Sequence, residues 1–127
     1  MKIVVFGLGY VGATATACLL RDGHTVIGID VSTDKAAMIE SGVSPVSEPG
    51  LDELLAAGRD AGRLSATTDI GRHLDDADIA MVCVGTPSLP SGGLDLTQVS
   101  AVSAELAAAL KTRDADREPL IIDYRST

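Results

Sequence analysis

Short aliphatic runs alternate with longer amphipathic ones along this chain. Lys2–Phe6, Thr25–Ile29 and Ile79–Val84 are rich in β-branched or apolar residues and bounded by turn formers, the pattern of strands. The unbroken apolarity of Ile79–Val84 predicts burial on both faces. Leu64–Thr67 is a weaker strand, and Leu120–Ile122 begins a final one. Between them, Tyr10–Asp22 reads as a helix closed by Gly23. Ser32 or Thr33 can cap a helix running to about Glu40, closed by Gly42. Leu51–Ala61 puts Leu51, Leu54 and Leu55 on one helical face. Ile70–Asp75 predicts a short helix, and Thr97–Leu110 a longer, alanine-rich one. Ser44–Gly50 and Gly85–Leu94, with their prolines and glycines, are loops.

Strands alternating with helices of this length pair in parallel through right-handed crossovers. The expectation is therefore an open α/β sheet of five strands in the order 3-2-1-4-5, one strand short of a full dinucleotide-binding sheet. A length of 127 residues suits one domain, and no repeat or linker divides it. The chain stops directly after the fifth strand, which reads as a piece of something longer.

Composition narrows the function. Eighteen acidic residues against 10 basic ones leave a net charge of −8, with no basic patch to neutralise phosphates, so no nucleic-acid partner is expected. Cys18 and Cys83 stand too far apart for a disulfide framework or a zinc site, which points to a reducing compartment, the cytoplasm. Both sit in apolar surroundings, where a thiol is inert. His24 and His73 lack partners at catalytic or metal spacing, so no metal is expected. From Ile3 to Leu20 the chain carries no charge, which could mimic an export signal or a membrane helix. Gly7, Gly9 and Gly12 inside that run argue against both, and no membrane partner is expected.

Those glycines carry the chemistry. Gly7-Leu8-Gly9-Tyr10-Val11-Gly12 matches G-x-G-x-x-G, and it follows a strand and opens a helix, the context in which the pattern has meaning. Gly7 would allow the tight turn, Gly9 the approach of a pyrophosphate, and Gly12 close packing of helix on sheet. The free N–H groups of the helix start then face the phosphate charge. Asp30, at the end of the second strand, can accept hydrogen bonds from an adenosine ribose and would repel a 2′-phosphate, which favours NAD over NADP. Lys35 could reach the same ribose, or stand as a solvated helix lysine. Thr86 and Thr127 lie at the carboxyl edge of the sheet, where ligands bind in such folds. Glu48-Pro49-Gly50 reads either as a helix start or as a loop rim near the cofactor. A turn that binds nothing, and a flavin or S-adenosylmethionine site, are the alternatives for the glycines.

The motifs together resemble a family. Phe6 to Gly12, Gly28-Ile29-Asp30-Val31, Ser44-Pro45 with Glu48-Pro49-Gly50-Leu51, and Gly62-Arg63-Leu64 with Thr67-Thr68-Asp69 occur in its order. Val84-Gly85-Thr86-Pro87-Ser88 and Arg125-Ser126-Thr127 follow. The series is similar to the UDP-glucose/GDP-mannose dehydrogenase family over nearly the whole chain, at its N-terminal NAD-binding domain. Cys83 to Ser88 and Leu94-Asp95-Leu96 look most like the GDP-mannose branch.

The resemblance implies a Rossmann-like doubly wound sheet, with NAD contacted by Tyr10, Val11, Asp30, Lys35, Thr86 and Thr127. It implies an enzyme that oxidises a nucleotide sugar at its C6 alcohol to a carboxylate, with two NAD reduced, through a thiohemiacetal and a thioester on a cysteine. That cysteine lies far downstream in the family, and neither Cys18 nor Cys83 corresponds to it. The 127 residues should thus bind NAD and catalyse nothing, while the full-length protein should be a homo-oligomer built on a central helix absent here. Asp123-Tyr124 departs from the family's aliphatic pair and puts an acid in an expected buried strand. A freestanding NAD-sensing regulatory module, of the type attached to potassium transporters, is the rival reading; it gives no reason for Glu48-Pro49-Gly50 or Gly85-Thr86-Pro87. A fragment of a flavin- or other nucleotide-dependent enzyme is a further one.

Overall fold

A computed structural model describes residues 1–126. Thr127, and with it the expectation placed on its hydroxyl, lies outside the described residues. The elements run β1 (Lys2–Phe6), α1 (Tyr10–Arg21), β2 (Thr25–Ile29), α2 (Thr33–Glu40), α3 (Leu51–Asp60), β3 (Leu64–Thr67), β4 (Ile79–Val82), α4 (Thr97–Leu110) and β5 (Ile121–Tyr124). The strands form one parallel sheet in the order β3-β2-β1-β4-β5. The uncharged run from Ile3 to Leu20 is thus β1, a turn and part of α1. Among the described residues, no helix is long and apolar enough to cross a membrane.

Alternation along β1 creates two cores. Ile3 and Val5 point to the face covered by α1 and α3, where Ala13, Ala17, Leu20, Leu51 and Leu55 are buried. Val4 and Phe6 point to the other face, closed by Leu74, Ala77 and Leu106 of α4. The period-2 geometry of a strand makes one sequence feed both layers. Two packing constraints tie the first layer together. A side chain at Gly58 would meet Leu20, and one at Gly28 would meet Leu8, at 2.7 and 2.8 Å.

Three expectations are corrected. Ile70–Asp75 is a chain of turns rather than a helix. Its amides bond three residues back, His73 to the Ile70 carbonyl and Asp75 to that of Arg72. Asp69 accepts from the Gly71 amide, and Gly71 has a φ of +48°, so no helical ladder starts. Leu74 is still fully buried, and this explains the misreading: Ile70 and Leu74 have helical spacing but reach the core from a turn.

β4 ends at Val82, not Val84, and only Ala80 and Val82 are fully buried, so its two faces differ. Among the described residues β5 is the outermost strand of the sheet and not a buried one, with Ile121 60 % exposed. Its register is nonetheless defined, Met81 facing Asp123 and Val82 facing Tyr124. The Asp123 carboxylate pairs with Arg125 at 2.9 Å. That pairing raises the Arg125 pKa.

Candidate cofactor site at the carboxyl edge of the sheet

Both the first turn of α1 and the end of β2 arrive at the carboxyl edge of the sheet, next to the end of β4. A cavity of about 700 Å³ lies between them and α4. It is lined by Gly7, Gly9 and Tyr10 from the glycine turn, and by Asp30, Val31, Ser32 and Lys35 from β2 and the start of α2. Cys83, Val84 and Gly85 complete it after β4, with Thr68 on the rim and Gln98, Ala101, Val102 and Glu105 along α4.

The glycine turn is built by contact. Gly7 has a φ of +95°, and a side chain there would come within 2.9 Å of the Cys83 backbone. The Gly7 amide donates to the Ile29 carbonyl at 2.8 Å, bending the chain over β2. Gly12 packs directly on that turn: a Cβ there would sit 1.6 Å from the Gly7 carbonyl oxygen. Gly9 differs from both, because a Cβ on it would meet no protein atom within 4 Å. It caps α1 without a side chain, and the first intrahelical bond runs from the Ala13 amide to the Gly9 carbonyl at 2.9 Å. The amides before Ala13 have no carbonyl partner within the helix, and no acid occupies the first turn. That is the arrangement in which a helix start attracts an anion.

Asp30 holds its carboxylate beside this turn. Its Oδ2 accepts from the Leu8 amide at 2.7 Å, and its Oδ1 from the Ser32 amide at 2.8 Å. Ser32, not Thr33, caps α2, its hydroxyl accepting from the Lys35 amide. Lys35 lines the cavity while the residue stays exposed.

The structure thus brings Gly7, Gly9, Tyr10, Asp30 and Lys35 to one space. Val11, Gly12 and Thr86 do not line it: Gly12 is buried behind the turn, Val11 is half-exposed, and Gly85 faces the cavity in place of Thr86. The Glu48 carboxylate, ambiguous from sequence, stands near the Tyr10 hydroxyl and raises the pKa of the phenol. Gly50 meanwhile starts α3 with a φ of +87°. The residues missed by motif reading come chiefly from α4. Their spacing, 98, 101, 102 and 105, is one helical face and could have been read as a stripe facing the sheet edge.

Cys83 is an inert thiol in this setting. Cys83 lines the cavity, but burial, aided by the Asp123 charge, pushes its pKa up to about 11. The thiolate is therefore scarce at neutral pH and accumulates only as pH rises toward 11. Iodoacetamide should label Cys83 slowly at pH 7.5 in the folded chain, with the rate still climbing above pH 9. Rapid labelling at neutral pH, followed by peptide mapping, would contradict this environment. His24 contacts the N-terminal amine at 3.2 Å, and among the described residues no His, Cys, Asp or Glu cluster could hold a metal.

Comparison with known proteins agrees with the fold. A GDP-mannose 6-dehydrogenase from Pseudomonas aeruginosa is 46 % identical over all 127 residues, which span 28 % of its length. A UDP-glucose 6-dehydrogenase from Rhizobium meliloti is 38 % identical over 112 residues, 87 % of this chain and 26 % of that protein. Among solved structures, a ternary complex of GDP-mannose dehydrogenase from Pseudomonas aeruginosa superposes with a TM-score of 0.93 over the whole chain and 28 % of its own. A UDP-glucose dehydrogenase from Pyrobaculum islandicum gives 0.88 at 30 % identity, over 99 % of this chain and 28 % of that one. These relatives are dehydrogenases, which leaves the regulatory-module reading without support. The family model described as the NAD binding domain of the UDP-glucose/GDP-mannose dehydrogenases matches residues 1–127 end to end. The chain belongs to that family and is its NAD-binding domain.

Proposed function

We propose that the cavity at the carboxyl edge is where this chain binds NAD, as the cofactor-binding part of an enzyme that oxidises the C6 alcohol of a nucleotide sugar to a carboxylate. The observation that carries the reading is the convergence on one cavity of the open face of Gly9, the free amides of the α1 start and the Asp30 carboxylate. The residues fit the cofactor. The α1 amides and Gly9 would take the pyrophosphate, Asp30 the adenosine ribose, and the apolar surface of Val31, Val84 and Val102 the flat face of the base. Val31 supports this last role, since it is 94 % exposed while lining the cavity. When bound, NAD accepts a hydride from a carbon bearing an alcohol.

The higher identity to the GDP-mannose relative favours GDP-mannose over UDP-glucose as the sugar nucleotide. The chain spans 28 % of that relative, and the catalytic cysteine that the family resemblance implies would lie outside the matched stretch; the raised pKa of Cys83 makes that thiol a poor nucleophile. The complete protein would act in the cytoplasm as a homo-oligomer, with Val11, Thr86 and Thr127 as further cofactor contacts.

Calorimetric titration with NAD, and with NADP beside it, tests the assignment. Binding of NAD at least tenfold tighter than NADP is expected, because Asp30 would face a 2′-phosphate with like charge. Binding of neither dinucleotide would remove the cavity as the cofactor site. Asp30→Ala should weaken NAD by about 1–3 kcal/mol, the cost of leaving ribose hydroxyls unpaired. Unchanged affinity in that variant would take Asp30 out of the site.

A further inference from the structure

We infer that Asp30 is also the positioning residue of the phosphate loop, pinning it in shape before any cofactor arrives. The inference rests on the NAD-binding reading and adds to the ribose role a second one, exerted through Leu8. Leu8 is the residue between the two glycines that make the turn. Its side chain is fully buried over β2, in space that exists only because residue 28 is glycine. Its neighbour Gly7 is tied to β2 through the Ile29 carbonyl. Those two contacts hold the loop down but leave the peptide between Gly7 and Leu8 free to rotate its N–H.

The Asp30 carboxylate closes that freedom. One oxygen accepts the Leu8 amide across 22 positions of sequence, and the other accepts the Ser32 amide at the foot of α2. A single charged group thereby links the turn before α1 to the turn before α2. Charge-assisted bonds of this kind are stronger than neutral ones.

Electrostatics favours the same placement. α1 has neither a side-chain cap nor an acid in its first turn, so the carboxylate reaching over from β2 is an anion set near its positive end. Anchoring does not exhaust the group, because each carboxylate oxygen has two acceptor positions and one on each stays open for a ribose hydroxyl. The loop and the ribose site therefore share one side chain, and the turn that receives the pyrophosphate is preformed through the residue that receives the sugar.

Two measurements test this. The first needs no variant: amide spectra of the ligand-free chain, followed as acid protonates the carboxylates. The Leu8 and Ser32 amide protons should shift together with the side-chain carboxyl carbon of Asp30. Amide signals that ignore that carbon overturn the inference, whether or not NAD binds.

The second separates the two roles of the carboxylate. An NAD analogue lacking both hydroxyls of the adenosine ribose is titrated into the wild type and into Asp30→Ala. Asp30→Asn, which keeps one acceptor oxygen, serves as the conservative control. A carboxylate that only bound ribose would leave the analogue's affinity unchanged on substitution. One that shapes the loop still loses about fivefold in Asp30→Ala, with Asp30→Asn falling between. Equal affinity of wild type and Asp30→Ala for the analogue overturns the inference. Should Asp30→Ala not fold, or the wild type not bind the analogue, the amide titration decides alone.

Discussion

Gly12→Ala should destabilise the chain by at least about 3 kcal/mol, the range of severe overpacking, and leave much of it unfolded. The added methyl carbon would be built 1.6 Å from the Gly7 carbonyl oxygen and 2.8 Å from the carbonyl carbon. No rotamer relieves a contact between two backbones. Either α1 lifts from the sheet, exposing Ala13, Ala17 and Leu20, or the turn after β1 moves and loses its place against Cys83. Thr16 worsens the outcome, since its buried hydroxyl donates to the Gly12 carbonyl at 2.8 Å and would be displaced with it. Urea denaturation followed by circular dichroism reads the loss directly. A midpoint equal to that of the wild type would mean that α1 does not pack this closely.

Gly9→Val is the complementary case, with the damage falling on binding. The Cβ at this position meets no protein atom within 4 Å, and its backbone, φ −78° and ψ −155°, is open to any residue. The fold should therefore hold within about 1 kcal/mol. The side chain would project into the space beside the first amides of α1, where the pyrophosphate is expected. Excluding that group should cost about 2–4 kcal/mol of NAD affinity, roughly 30- to 1000-fold. Calorimetry on the variant, alongside its melting curve, separates the two quantities. Tight NAD binding by a folded Gly9→Val chain would remove the α1 start as the phosphate site.

Three glycines that look alike in one motif therefore divide the labour. Gly7 supplies the left-handed turn, Gly12 the close approach of helix to sheet, and Gly9 the opening to the ligand. The spacing of the motif anticipates those roles, because each follows from where a turn must leave a strand and a helix must begin. The amounts could not be read in advance: 1.6 Å at one glycine and empty space at another are distances between parts of the chain that meet only after folding.

The misreadings have the same origin. Ile70 and Leu74 satisfy helical spacing, yet Asp69 and the left-handed Gly71 start a turn there, and burial came from the sheet beneath. Cys83 and Val84 continue the apolar run of β4, but apolarity records burial against neighbours and not membership of the ladder. Asp123 falls on the outermost strand of the described residues, where its carboxylate pairs with Arg125, a partner that the sequence of the strand alone does not assign. The α4 contribution to the cavity was in view as a stripe of four positions, but nothing local says that this face turns toward β1 and β2.

What the amino-acid order determined by itself was therefore the local and periodic content: the five strands, four of the five helices expected, their parallel order, the phosphate turn, the acid at the end of β2, and membership of the family. Periodicity and turn chemistry act within about ten residues, so they are visible without a partner. Only the tertiary structure decided what meets across long separations. It placed Leu8 and Ser32 on the two oxygens of Asp30, Glu48 near the hydroxyl of Tyr10, and Gln98 and Glu105 along the cavity that the glycine turn lines. It also decided the state of Cys83, since the sheet edge that removes water from the thiol raises its pKa. Those contacts depend on how two cores fill on either side of one twisted sheet, and that balance is struck among residues far apart in the chain.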